Sequence, residues 1–169
     1  MQRRTLLKLG VGATVTLAVL GGGAALLRPG LVDGKMTEPA QTLMRAVAEA
    51  VLEGSLPADA SARATALDAH LERLQGLVLG FPPATRDELS QLLALLTTAP
   101  GRLAIGALSQ DWPQAGVRSV QAALQAMRTS RLAIRLQVYQ ALRDLTNAAY
   151  YADAGTWTLL GYPGPRALA

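Results

Sequence analysis

Leucine, valine and alanine recur at intervals of three and four residues over most of the chain between Thr37 and Tyr151. This spacing places apolar side chains on one face of a helix, and no long stretch alternates apolar and polar residues as a half-buried strand does. Prolines and glycines interrupt the pattern several times, and such residues end helices. The sequence therefore predicts an all-α bundle of five or six helices.

The predicted helices have recognisable start signals. Thr37 is placed to cap the first helix, the segment Thr85 to Glu88 matches a capping box for the third, and Asp111 is placed to cap a later one. The stripes predicted to form the core are Leu43, Val47 and Val51; Leu67, Leu71, Leu74 and Val78; Leu89, Leu92, Leu93 and Leu96; Val117, Val120, Leu124 and Met127; and Leu132, Leu136, Tyr139, Leu142 and Leu145. Plain packing accounts for these stripes.

The chain has no cysteine and one histidine among its 169 residues. Disulfides, thiolate metal sites and a cysteine nucleophile are therefore excluded, as is a metal site built from several histidines. His70 lies between Asp68 and Glu72, and a carboxylate can orient a histidine as a general base. No nucleophile motif accompanies it, so we expect a partly exposed helix residue. We predict no catalytic residue, no metal and no cofactor in this chain.

The formal charge of +4 is carried by the first 32 residues. Residues 1–32 contain four basic residues and no acidic one, which leaves twelve bases and twelve acids in the rest of the chain. A body without net charge is not drawn to a phosphate backbone. We therefore expect no nucleic-acid partner.

Residues 1–32 have the organisation of a targeting segment, with basic residues ahead of an apolar run from Leu9 to Leu27. The pattern resembles the twin-arginine export signal, in which two arginines precede two large apolar residues and often a lysine. The residues assigned to targeting are Arg3, Arg4, Leu6, Leu7 and Lys8. The alternative is an ordinary membrane anchor, because nineteen residues are about enough to span a bilayer as a helix. Either reading places the body outside the cytoplasm.

The end of the chain differs from its helical middle. Four of the seven aromatic residues fall in the last twenty positions, followed by alternating glycine and proline. We divide the chain into the signal or membrane anchor (1–32), the helical bundle (33–152) and a C-terminal docking tail (153–169). The tail is expected to be extended. It either docks into a groove of another chain or folds back over its own bundle, and the residue types of the tail are compatible with both interpretations.

Three arginines, Arg128, Arg131 and Arg135, are predicted to form a row on one helix face. Such a row suits the carboxylates of a partner, although a solvated face is the alternative. The candidate partner-binding residues are Trp112, Arg128, Arg131, Arg135, Tyr150, Tyr151, Trp157, Tyr162, Pro163, Gly164 and Pro165.

The chain as a whole resembles the small subunits of secreted flavoprotein dehydrogenases in the glucose–methanol–choline oxidoreductase superfamily. The resemblance is to twin-arginine-leader periplasmic proteins related to gluconate and sorbitol dehydrogenase small subunits. It is carried by Arg3-Arg4, the break at Trp112-Pro113, the stretch Ala149-Tyr150-Tyr151, and the segment from Trp157 through Gly161-Tyr162-Pro163-Gly164-Pro165.

The resemblance implies a helper without an active site. In such systems the large subunit binds FAD, oxidises an alcohol or sugar hydroxyl, and crosses the membrane as a folded complex on the small subunit's leader. The expected partners are this flavoprotein, the twin-arginine translocase, the inner membrane and a cytochrome subunit, and the expected location is the periplasm. The competing hypothesis is a free-standing, membrane-anchored periplasmic bundle that binds a small apolar ligand between its helices.

Overall fold

The computed structural model describes residues 28–164, and this part of the chain is all-α, as the sequence predicts. The described residues form six α-helices, two short 3-10 helices and one small hairpin. The α-helices are α1 (Glu38–Val51), α2 (Ala60–Leu79), α3 (Pro83–Thr97), α4 (Ala99–Ala104), α5 (Val117–Arg128) and α6 (Ala133–Tyr151). The 3-10 helices are Trp112–Gln114 and Ala154–Leu160. The predicted leader helix lies outside the described residues.

A two-stranded antiparallel hairpin precedes α1 and crosses the boundary that we set at residue 32. Its strands are β1 (Leu31–Val32) and β2 (Lys35–Met36). Asp33 and Gly34 connect them with φ angles of 51° and 76°, as a tight hairpin turn requires. An Asp-Gly pair is a known hairpin signal, but strands of two residues are too short to show alternation.

Helix α1 lies at the centre of the bundle and packs against α2, α3, α5, α6 and the Trp112–Gln114 turn. The Tyr150 hydroxyl donates to the carbonyl of Ser55 at 3.0 Å, so α1 and α6 end together and run parallel. The Gln121 amide near the start of α5 donates to the Ala50 carbonyl at 3.1 Å, so α5 runs antiparallel to α1. The turn between α5 and α6 therefore lies at the end of the bundle where α1 begins.

Two of the predicted helix caps are wrong. Helix α3 begins at Pro83, before the predicted capping box at Thr85, because proline is well tolerated in a first turn. Asp111 does not cap α5, which begins only at Val117. The Asp111 carboxylate instead pairs with the guanidinium of Arg102 at 2.6 Å.

The predicted stripe of the last helix is wrong at its beginning. Leu132 is 55% exposed and Leu136 is 37% exposed. The buried residues of α6 are Val138, Leu142, Thr146, Ala149 and Tyr150. This stripe includes a threonine, whose hydroxyl donates to the carbonyl of Leu142 at 2.8 Å and is satisfied inside the core. In the other long helices the predicted stripes are buried, except for the partly buried Val51 and Val117.

Leu142→Ala and Leu136→Ala form a matched pair that tests this register. Leu142 is fully buried, so its truncation is expected to lower the free energy of unfolding by about 2–5 kcal/mol. Leu136 is partly exposed, and its truncation is expected to cost less than about 1 kcal/mol. Urea unfolding followed by circular dichroism measures both. Equal losses of unfolding free energy in the two variants would contradict the observed register and support the stripe that the sequence predicts.

Candidate functional site

The described aromatic residues of the tail pack on one another next to the end of α6. The rings of Trp157 and Tyr162 meet edge to face with their centroids 5.5 Å apart. The Trp157 indole Nε1 donates to the carbonyl of Tyr151 at 2.8 Å. Gly161 ends the 3-10 helix with a φ of 66°, a left-handed conformation that favours glycine. Tyr151 and Tyr162 remain 40% and 47% exposed, so the cluster presents aromatic surface to solvent.

The base of the tail is attached to the bundle by Arg73 of α2. Its Nη1 lies 3.2 Å from a carboxylate oxygen of Asp153, and its Nε donates to the carbonyl of Ala149 at 3.1 Å. The hydroxyl of Thr156, which is buried, lies within hydrogen-bond distance of the carbonyls of Tyr150 and Asp153. The first residues of the tail thus contact their own bundle, while the aromatic cluster beyond them is partly open.

Trp112 and Tyr150 do not belong to a partner-binding surface, contrary to the prediction. Their side chains are 4% and 6% exposed and belong to the interior. The indole of Trp112 donates to the carbonyl of Leu96 at 2.8 Å, and the hydroxyl of Tyr150 is bonded to Ser55. Both polar groups are satisfied inside the protein, so neither ring is available to a second chain. Tyr150 follows the buried Thr146 by one helical turn, and a threonine in this position gives no sequence signal that Tyr150 belongs to the core.

Arg128, Arg131 and Arg135 do not share one helix face. Arg128 is in the last turn of α5, Arg131 is in the connecting turn, and Arg135 is in the first turn of α6. The guanidinium of Arg135 donates from Nε and Nη2 to the carbonyl of Ala104, at 3.0 and 2.8 Å, and so joins α6 to α4. Arg128 donates to the side chain of Gln125 at 3.0 Å.

The arginines and the aromatic tail lie at opposite ends of α6. With a rise of 1.5 Å per residue, Arg135 and Tyr151 are about 24 Å apart along the helix. The arginines therefore do not form a polar rim around the aromatic cluster. The arginines and the aromatic cluster therefore form two separate surfaces.

The remaining candidate residues lie near or beyond the limits of the described part of the chain. Pro163 and Gly164 are described, and an added Cβ at Gly164 would contact the Trp157 ring at 3.6 Å. Pro165 and the targeting residues Arg3, Arg4, Leu6, Leu7 and Lys8 lie outside the described residues. Within residues 28–164, no helix has the length and apolarity needed to cross a membrane.

His70 is buried in α2, contrary to the expectation of a partly exposed residue. Its side chain is 1% exposed, and neither ring nitrogen has a hydrogen-bond partner among the described residues. Burial, assisted by the charge of Arg73, lowers the pKa of His70 from 6.5 to about 4. Within residues 28–164, no group of three or more His, Asp or Glu side chains is placed to hold a metal ion.

An open cleft of about 220 Å³ lies where α1 begins, beside the Trp112–Gln114 turn. Charged side chains of Glu38, Arg102 and Asp111 form part of its wall. Sites for apolar ligands are lined mostly by hydrophobic side chains with few polar groups. This cleft does not suit the apolar ligand of the competing hypothesis.

The burial of His70 predicts a pH dependence of stability. Above about pH 6.5 the ring is neutral in both the folded and the unfolded chain. Between pH 6.5 and about 4 only the unfolded chain takes up the proton. The free energy of unfolding therefore decreases as the pH is lowered through this range, by on the order of 3 kcal/mol in total. No other histidine is present to titrate in this range.

His70→Leu is expected to remove this part of the pH dependence, because leucine carries no titrating group. Urea unfolding of both proteins at a series of pH values measures the difference, and carboxylates contribute equally to the two curves. Parallel curves from pH 7 to pH 4 would contradict the assignment.

Comparisons with known proteins do not assign a family to this chain. No protein-family model, no curated protein and no solved structure matches it.

Proposed function

We propose that the chain is a non-catalytic small subunit that binds a flavoprotein dehydrogenase, escorts it through twin-arginine export and stabilises it. The large subunit holds FAD and oxidises an alcohol or a sugar. The observation that carries the proposal is the pattern Arg3-Arg4-Thr5-Leu6-Leu7-Lys8 on a chain without cysteine and with one histidine. The twin-arginine route moves folded proteins, and a small chain without a cofactor has little need of it unless it carries a folded cargo.

The exposed aromatic cluster supports a docking role for the tail. Aromatic rings with a polar edge are typical anchors of protein interfaces, because they bury a large area at a small cost in conformational entropy. Tyr162 and Tyr151 are partly exposed, and the Trp157 ring packs against Tyr162 with its indole nitrogen already bonded to the carbonyl of Tyr151. In the proposal, Trp157 and Tyr162 anchor the flavoprotein, with Pro163 and Gly164 continuing the contact.

The remaining partners act through the N-terminal segment of this chain or through the flavoprotein. The translocase recognises Arg3 and Arg4, and the finished complex resides in the periplasm, where the apolar run can also hold it on the inner membrane. A cytochrome subunit would take electrons from the flavin of the large subunit. This chain supplies binding surface and export signal.

Replacement of the arginine pair, Arg3→Lys with Arg4→Lys, tests the export route. Lysines keep the positive charge of the segment but not the paired guanidinium groups, so both this chain and the flavoprotein are expected to stay in the cytoplasm. Fractionation of the native host, followed by flavin absorbance of each fraction, measures this. Arg28→Lys is the control and should leave export unchanged. Normal export of the double variant would favour an ordinary membrane anchor.

Trp157→Ala combined with Tyr162→Ala tests the docking tail. The tagged chain, purified from membranes in mild detergent, is expected to bring down a large subunit with oxidised-flavin absorbance bands, and the double variant is expected to lose it. Trp157→Phe with Tyr162→Phe keeps two rings and should retain most of the flavoprotein. Undiminished co-purification of the alanine variant would contradict the tail's role. A colourless wild-type chain purified alone would favour the free-standing bundle.

A further inference from the structure

Three leucines and three arginines share the corner of the bundle where α4 meets the turn between α5 and α6. We call this the corner surface; it consists of Leu103, Leu132, Leu136, Arg128, Arg131 and Arg135. Leu103 and Leu132 are each more than half exposed. The bonds from Arg135 to the carbonyl of Ala104 bring the two parts of the corner together. Exposed apolar side chains that lie together and are rimmed by polar residues mark interaction sites, whereas single exposed leucines do not.

Five of the six residues of the corner surface, all except Leu103, belong to a strongly basic segment of the chain. Residues 112–143 contain five arginines and no aspartate or glutamate, whereas residues 33–111 contain six basic and ten acidic residues. The zero net charge of the body therefore conceals a separation of charge along the sequence. The basic part of the protein attracts anions, although the body as a whole does not.

The chain enters the bundle at the end that carries the corner surface. Gly30 is held in place because its amide donates to the carbonyl of Ser90 at 3.2 Å and its carbonyl accepts from the amide of Thr37 at 2.9 Å. By sequence, the apolar run ends at Leu27. Three residue steps span at most about 10 Å, so a bilayer that contains the apolar run must lie close to Gly30. Helix α1 begins at Glu38, directly after Thr37, whose amide bonds to Gly30, and the α5–α6 turn lies at that end of the bundle.

We propose that the corner surface rests on anionic phospholipid headgroups. The guanidinium groups of Arg128, Arg131 and Arg135 bind lipid phosphates, for which their paired donors are well matched. Leu132, Leu136 and Leu103 enter the boundary between headgroups and acyl chains, as the apolar face of an interfacial helix does. The contact rests on the proposed function in one respect, because it requires that the apolar run stays in the inner membrane as an anchor, which also sets the periplasmic leaflet; it requires no flavoprotein.

The nearness of Gly30 to the bilayer favours lipid over an acidic protein as the occupant of this surface. A protein partner at the corner would have to share the narrow space between bundle and headgroups. The aromatic cluster at the other end of α6 points away from this space and stays open to a large subunit. The two surfaces can therefore be occupied at once.

A fluorescent label at position 132 tests the proposal. The chain has no cysteine, so Leu132→Cys gives a single attachment site for an environment-sensitive dye. The labelled full chain is reconstituted into vesicles of phosphatidylcholine alone or mixed with phosphatidylglycerol. We expect a blue-shifted emission and a severalfold stronger quenching by spin-labelled lipid when phosphatidylglycerol is present. Ala58→Cys, an exposed position at the other end of the bundle, is the control and should report water in both vesicles.

Charge variants made on the labelled chain separate lipid attraction from chance proximity. Arg128→Gln, Arg131→Gln and Arg135→Gln together are expected to remove the effect of phosphatidylglycerol, while the matching triple lysine variant keeps most of it. Arg118→Gln with Arg143→Gln removes two arginines outside the corner and should retain it. Because Arg135 also bonds to Ala104, a variant changed only at Arg128 and Arg131 is included; it should lose a large part of the quenching with an unchanged circular dichroism spectrum.

Three outcomes would overturn the proposal: a label at position 132 that reports water in both vesicles, quenching that is equal in both, and quenching that survives the glutamine substitutions. Shielding of the label by the purified flavoprotein without lipid would assign the corner to a protein partner instead. The vesicles contain no flavoprotein, so a negative result here leaves the escort proposal standing. Failure of the co-purification experiment likewise leaves the lipid contact standing.

Discussion

The fold depends on the burial of one helix. Helix α1 is in contact with α2, α3, α5 and α6, and Ala40, Leu43, Val47 and Ala48 are completely buried in it. The two alanines allow neighbouring helices to approach closely, while Leu43 and Val47 fill the space between them. Helices α5 and α6 lie along α1, so the turn that joins them lies near the start of α1 and the end of α6 lies near its end. The aromatic cluster lies at one of those ends and the corner surface at the other.

The fold class and most helices could be predicted because their apolar residues keep a regular spacing. The stripe of Leu67, Leu71 and Leu74 in α2 is continuous, and His70 lies within it. This position is the sequence signal from which the burial of His70 could have been inferred. The α6 register was missed because leucines near its start suggest a stripe, whereas the true stripe contains Thr146. Its polarity is cancelled by a hydrogen bond that no sequence pattern shows.

The candidate surfaces were predictable only in part. Adjacent tyrosines in a helix project about a quarter-turn apart, so of Tyr150 and Tyr151 one is buried and the other exposed, and composition alone does not tell which. The three arginines were found by their spacing, but the break between α5 and α6 divides them. Their anion-attracting character was hidden because a net charge sums acidic and basic segments that are separate along the sequence.

The contacts of Arg73 couple the tail to the stability of the whole bundle. This one guanidinium holds the last turn of α6 through Ala149 and the base of the tail through Asp153. A partner that holds Trp157 would also keep these contacts closed, because bound states gain stability by mass action. Under the proposed function, chains without a partner open at this end more often and are degraded sooner. The cellular amount of the small chain would then follow the amount of the protein that it carries.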